Sequence, residues 1–312
     1  MNEKENLIDR LYQSADADPG ILGDPEVAYV VLNHNTVVGM NGDDGLEVEV
    51  DERTDGIEAF MEVKEGAVIR KQVHLCFGMI PKKGVQNILM NVNVKRNARI
   101  SVLAHCVFPN AVDVQHIMDA KIHIADGAEY TYLERHVHSP EGGIKVYPKA
   151  KGELGKKARF KTEFELIKGR VGLIDIDYET VCREHCVLEM TSRISGTEDD
   201  IIQIKEVGHL NGESARGALT TRIAVRRRAQ ASVYNKLTAN APFARGHVDC
   251  KEIVQEEATA AATPVVEVNH PKAHITHEAA IGSVDAKQLE TLMSRGLSED
   301  EAVELIIDGL LS

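Results

Sequence analysis

Val92-Asn93-Val94-Lys95-Arg96-Asn97-Ala98-Arg99-Ile100-Ser101-Val102 reads as two strands joined by a corner. Apolar and polar residues alternate on either side, the period of a strand with one buried face. The corner between them is polar and ends on an alanine. The same unit recurs along the chain. Ile122-His123-Ile124 and Tyr130-Thr131-Tyr132 flank Gly127-Ala128-Glu129, and Lys157-Ala158-Arg159 leads into Phe160-Lys161-Thr162-Glu163-Phe164. Glu65-Gly66-Ala67 opens the series. From Ala67 to Ala98, Ala128 and Ala158 the spacings are 31, 30 and 30 residues, and Cys186 stands 28 further on in a similar slot. Arg228-Ala229-Gln230 repeats the unit after a longer gap.

A fixed period of this length, made of strands without intervening helices, indicates a stacked β architecture. A small residue suits a tight corner between coils. A mainly β chain folded as a parallel β-helix fits this better than a large β-sandwich with evenly spaced turns. A propeller fits less well, since four-strand blades run longer and the chain has no tryptophan.

Three segments follow from the pattern: 1–26, 27–282 and 283–312. In the first, Leu7, Ile8, Leu11 and Tyr12 have helical spacing, and Asp18-Pro19-Gly20 breaks the helix. Residues 27–282 form the β core. In the last, Asp285 to Gln288 is a capping box opening a helix with Leu289, Leu292 and Met293 on one face, closed by Arg295-Gly296. Ser298 to Glu301 is a second box, followed by Ala302, Val303, Leu305, Ile306 and Ile307. Such a helical pair either caps the β stack or docks onto a partner. Both roles bury an apolar face.

The 312 residues carry a formal charge of −13, which argues against nucleic acid or an anionic membrane as partner. The one basic cluster, Arg226-Arg227-Arg228, reads as a solvated strand end. No stretch approaches the ~18 consecutive apolar residues of a bilayer span. Met1-Asn2-Glu3-Lys4-Glu5 is charged and has no apolar run behind it, so no secretory signal is visible and a cytoplasmic location is expected. The five cysteines, Cys76, Cys106, Cys182, Cys186 and Cys250, are then expected as reduced thiols. Gly152-Glu153-Leu154-Gly155-Lys156-Lys157 has the wrong spacing for a phosphate-binding loop, so ATP hydrolysis is not expected of this chain. No dinucleotide fingerprint, nucleophile elbow or His-Glu-x-x-His pair is present. A free-standing enzyme is not expected.

Two groups of residues could bind metal. Cys182 and Cys186, four apart on a strand, would share a face, but two soft ligands fall short of the usual four. Buried strand thiols account for them without a metal. The richer group is His247, Cys250, His270, His274, His277 and Glu278, a mixed S/N/O set. Cys250 and Glu278 are 28 residues apart, close to one repeat, which predicts adjacent coils. The bland alternative is a strand edge with scattered histidines.

His277-Glu278-Ala279, Gln288-Leu289, the run from Ser294 to Val303 and Ile306-Ile307-Asp308-Gly309 closely resemble the C-terminal signature of the SufB/SufD family. Pro264-Val265-Val266-Glu267-Val268 also matches it. The resemblance implies a right-handed parallel β-helix between helical terminal segments, pairing through the β-helices, and an ABC-type ATPase, SufC, bound by the C-terminal helices. Leu289, Leu292, Met293, Val303, Ile306 and Ile307 would form that docking surface. It implies a scaffold on which a transient iron–sulfur cluster, expected as [4Fe-4S], is built from iron and sulfide and handed to apo-proteins; a flavin is not indicated. Aligned on His-Glu-Ala, Cys250 and Glu278 match the SufB cysteine and carboxylate at the dimer interface, while His277 matches a SufD histidine. One chain could thus supply both halves as a homodimer. Cys106 matches the position where sulfur enters SufB; a core thiol is the equal alternative. The interval from Cys250 to Pro264 is one residue shorter than in SufB, and the chain is shorter than typical SufB, without its N-terminal cysteine cluster. The other readings are a SufD-like structural partner without its own cluster and a polysaccharide-active β-helix enzyme.

Overall fold

The computed structural model describes residues 3–312. Its strands run from Tyr29 to Gly282 and form two sheets of ten and nine strands, one strand of each coil going to either sheet. Neighbours pair in parallel, apart from the antiparallel hairpins Tyr29–Asn33 with Thr36–Asn41 and Leu46–Arg53 with Gly56–Val63 at the first end. The result is a parallel β-solenoid of about eight turns, with apolar residues of both sheets alternating into one continuous core. The strand Arg159–Lys168 shows the pattern: Phe160, Thr162, Phe164 and Leu166 are buried, while Arg159 and Lys161 are exposed.

Corner residues explain the repeat. Ala98, Ala128, Ala158, Cys186, Ala215 and Ala244 are all fully buried. Each carbonyl accepts from the backbone N–H one coil on: Glu129 to Ala98, Arg159 to Ala128, Val187 to Ala158, Arg216 to Cys186, Arg245 to Ala215 and His274 to Ala244, all at 2.9 Å. The sequence series therefore continues through Ala215 and Ala244. Ala229 belongs to the opposite corner, where its carbonyl accepts from Thr259. Corners also hold residues in the left-handed region, among them Asn97 (φ 55°), Lys157 (φ 58°) and His185 (φ 59°).

Helix α1 (Glu3–Ser14) buries Leu11 and Tyr12 against Val31, Cys76 and Val107 on the outer face of the ten-stranded sheet. Asp18 then caps a short 3-10 turn, Pro19–Gly23. At the other end, Asp285 accepts from the N–H of Gln288 to start α2 (Ala286–Met293), and a complete Ser298–Glu301 capping box starts α3 (Glu299–Leu311).

Corner size is testable. Ala158→Leu overfills a closed corner and is expected to lower unfolding stability in urea by about 1–3 kcal/mol. Lys157→Gly, one residue earlier, relieves ~1 kcal/mol of left-handed strain, but frees the unfolded chain by a similar amount. It should change stability by less than about 1 kcal/mol.

Candidate functional site

The strand Arg245–Val254 lies one strand in from the last edge of the ten-stranded sheet, between Arg216–Val225 and His274–Gly282. Alternation turns Val248, Cys250 and Glu252 inward, and all three are buried. Thr221 stands level with Cys250 on one side and Ala279 on the other. From the facing sheet, Asn235 Nδ2 donates to Thr221 Oγ1 at 2.6 Å and to Cys250 Sγ at 3.6 Å. Burial above all, with Glu252 and Glu206 nearby, pushes the Cys250 thiol up to about 12. In the closed chain it is a neutral thiol.

Glu278 and His277 sit on the adjacent coil, in different relations to Cys250. The local coil is 29 residues long, so Cys250 meets Ala279, while Glu278 meets Asp249 and His277 meets Val248. Side chains alternate faces along a strand. Glu278 therefore stands on the outer face, 3.5 Å from Lys251 Nζ. His277 shares the inward parity of Val248 and Cys250, yet is exposed because no coil lies beyond it. Within one chain, Cys250 and Glu278 occupy neighbouring strands but opposite faces. The other histidines do not converge here. His247 Nδ1 is 2.8 Å from Thr276 Oγ1 on the outside, and His270 Nδ1 accepts from the N–H of Lys272 in a turn.

Glu252 was not singled out by sequence. It shares Cys250's face and is 3% exposed, and neither carboxylate oxygen has a hydrogen-bond partner. Burial pushes it up to about 7, against the pull of Arg222. The available signal was a carboxylate two residues after a cysteine on an alternating strand. Behind it, Glu206 accepts from Ser192 Oγ at 2.7 Å and is likewise pushed up to about 7 by burial.

Cys106 lies elsewhere, on the strand Arg99–Phe108, five strands along the same sheet from Cys250. At a strand spacing of about 4.8 Å that is roughly 24 Å, so the two thiols cannot share a ligand set. Cys106 is buried, with Sγ 3.7 Å from Glu134 Oε1. Cys182 and Cys186 are not on one strand. Cys182 ends Leu173–Cys182, and Cys186 follows a corner through His185. Both are buried in the core, and the hydrogen bond between the two thiols raises Cys182 above the usual thiol range.

The C-terminal helices divide their apolar residues. Ile307 and Leu311 bury against Ala224, with Val303 and Ile253 beside them, and Arg226 pairs with Glu304. Leu289, Leu292 and Ile306 stay half-buried, and Met293 and Leu305 are exposed. No described helix is long and apolar enough to cross a membrane.

The family model for the SufBD core domain of the SUF iron–sulfur cluster assembly system matches residues 80–310. The chain belongs to the SufBD family. An iron–sulfur cluster assembly SufBD family protein of Methanocaldococcus jannaschii is 37% identical over 282 residues, covering 90% of this chain and 89% of its own. One from Pyrococcus horikoshii is 30% identical over 311 residues, covering 100% and 94%. A second P. horikoshii protein of this family is 26% identical over 81% of this chain and 56% of its own. SufBD membership gives the chain a role in iron–sulfur cluster assembly.

The inward carboxyls leave a pH signature. Glu206 binds its proton more tightly folded (about 7) than its ordinary value of 4.5, so it contributes stability below about pH 4.5 that is lost as pH rises through about 7. The contribution is on the order of 3 kcal/mol. Urea unfolding of Glu206→Gln across that window should show a correspondingly shallower decline than the parent chain.

Proposed function

We propose that two copies pair through their last coils and build an iron–sulfur cluster at Cys250 of the joined ends. The observation that carries this is where Cys250 sits: one strand in from an open edge, on the inner face. The strands Thr259–Val268 and His274–Gly282 each end a sheet with one edge unpaired. Open edges are templates for pairing with another chain. If the His274–Gly282 strands of two copies pair, their Cys250 strands lie about 14 Å apart, three strand spacings. Between them, His277 and Ala279 of both copies stand on Cys250's face, and Glu278 on the opposite face would join only as the edge strand opens. Thiolate anchors iron, while carboxylate and imidazole make exchangeable ligands suited to handing a [4Fe-4S]-type cluster to apo-proteins. Glu252 joins this set as the carboxylate already on Cys250's face.

A closed, neutral Cys250 has to be opened and deprotonated before it can hold iron. Helix α3 supplies the handle. It rests on Ala224 and Ile253, three residues from Thr221 and from Cys250 respectively. A SufC-like ABC ATPase bound to Leu289, Leu292, Met293 and Ile306 would pull on those strands as it closes on ATP, shifting the dimer toward an open interface. Val303 and Ile307 face the solenoid and would transmit the pull. In this reading the chain is a scaffold and the ATPase activity belongs to the partner.

Anaerobic reconstitution with iron and sulfide tests the site. Cys250→Ser is expected to abolish cluster absorption while leaving the fold intact; undiminished iron and sulfide binding would sink the assignment. Ala279→Lys puts like charges across the paired edge and should shift the chain toward monomer in sedimentation, with loss of cluster.

A further inference from the structure

Cys106 heads the closest group of metal-ligating side chains among the described residues. Its Sγ, a ring nitrogen of His116 and a carboxylate oxygen of Glu134 all lie within 4.8 Å of one another, and all three residues are buried. Cys106 and Glu134 come from neighbouring strands, Arg99–Phe108 and Glu129–His138, and His116 from Asp113–Ile124 in the other sheet. The group therefore bridges the two sheets.

His116 supplies an independent sign of a ligand. It is fully buried, yet neither ring nitrogen has a hydrogen-bond partner. Its ring is wedged between Phe108, at 5.0 Å, and His136, at 5.9 Å. An unmet buried polar group is unfavourable, and a metal would take the free lone pair.

Glu134 is held in position by a chain of two imidazoles. His136 Nε2 is 2.8 Å from its Oε1, His136 Nδ1 is 3.1 Å from His138 Nε2, and His138 Nδ1 is 3.0 Å from the Arg170 carbonyl. That carbonyl only accepts, so His138 Nδ1 carries the hydrogen, His138 Nε2 accepts from His136 Nδ1, and in the metal-free chain the neutral His136 accepts at Nε2 the proton of the Glu134 carboxyl.

Glu134 also lines a cavity of about 30 Å³ with Met90, Met118, Tyr132 and Pro148. This is room for a water beside Glu134. Pro148 interrupts the wall: the ladder from Ile144–Leu154 to Leu173–Cys182 is unmade between Val146 and Lys149, because proline has no N–H to donate. The cavity thus reaches an interrupted stretch of the sheet, the side from which an ion would enter.

We propose that Cys106, His116 and Glu134 form a resident site for one divalent first-row transition-metal ion, separate from Cys250. One thiolate, one imidazole and one carboxylate are the donors that iron(II) and zinc(II) accept. Binding releases the thiol and carboxyl protons to solvent, and the dication with two anionic ligands then carries no net charge. A fully buried site needs that balance. The ion would clip the two sheets together in the first half of the solenoid.

Anaerobic titration with cobalt(II) tests this. The expected result is one equivalent bound per chain with a thiolate-to-cobalt charge-transfer band. The band should persist in Cys250→Ser, vanish in Cys106→Ser, and require about tenfold or more cobalt in His116→Phe, which fills the space without a nitrogen. Zinc(II) should raise the melting temperature of the parent chain and of Cys250→Ser, but not of Cys106→Ser, whose fold is checked by circular dichroism and urea unfolding. No band, or a band that follows Cys250 instead of Cys106, overturns the proposal. Failure of the cluster reading would leave this cobalt signal unchanged, so the two are separable.

Discussion

At six successive corners of the ten-stranded sheet, from Ala98 to Ala244, a backbone N–H reaches back one coil to the carbonyl of a small buried residue, as Arg159 does to Ala128 and Arg245 to Ala215. These bonds and the parallel ladders they begin are what tie the coils together. A larger side chain at the corner would push the turn outward and break the match between one coil and the next. Along the ladders, each coil fixes which residues of the next lie level with its own. The same ladder has no partner beyond its last coil, so the strands at that end present unpaired edges.

Stacking also decides the chemistry of the interior. Two sheets facing each other across a narrow core should hold only apolar side chains, and for most of the length they do. Glu134, Glu206 and Glu252 depart from this, along with His116, Ser192 and Asn235. Burying a carboxyl this way is unfavourable unless it is protonated, hydrogen-bonded or bound to a cation. Glu206 is met by Ser192; Glu252 and His116 are not met by any hydrogen bond. Those two lie beside Cys250 and Cys106 respectively.

Sequence reading made the solenoid visible because a corner needs a small residue and strands need alternation. Both leave marks in single residues: Ala98, Ala128 and Ala158, and the runs that follow them. It misassigned Ala229 to the first corner, since a two-sheet coil has alanine at both corners and spacing alone does not separate them. Reading Cys182 and Cys186 on one strand conflicts with the corner slot that the repeat gives Cys186, and the corner through His185 does separate them. The capping boxes at Asp285 and Ser298 were legible because their hydrogen bonds are local.

The proposed site is legible in its members but not in their facing. Cys250, His277 and Glu278 stand on neighbouring coils, as a spacing near one repeat implies. A coil of 29 residues, however, turns a separation of 28 into opposite faces, and side-chain direction changes sign with every residue. Likewise, the division of α3 between Ile307 against Ala224 and Ile306 half-exposed depends on how the helix lands on the solenoid. By itself the sequence determined the repeat, the helical ends and the family, because these rest on local preference and on motif. Only the tertiary structure decided that Glu252 shares Cys250's face, that Glu278 does not, and that Cys106 meets His116 and Glu134. Those contacts join residues from different strands, and their register is set by the length of each coil and not by any short stretch of chain.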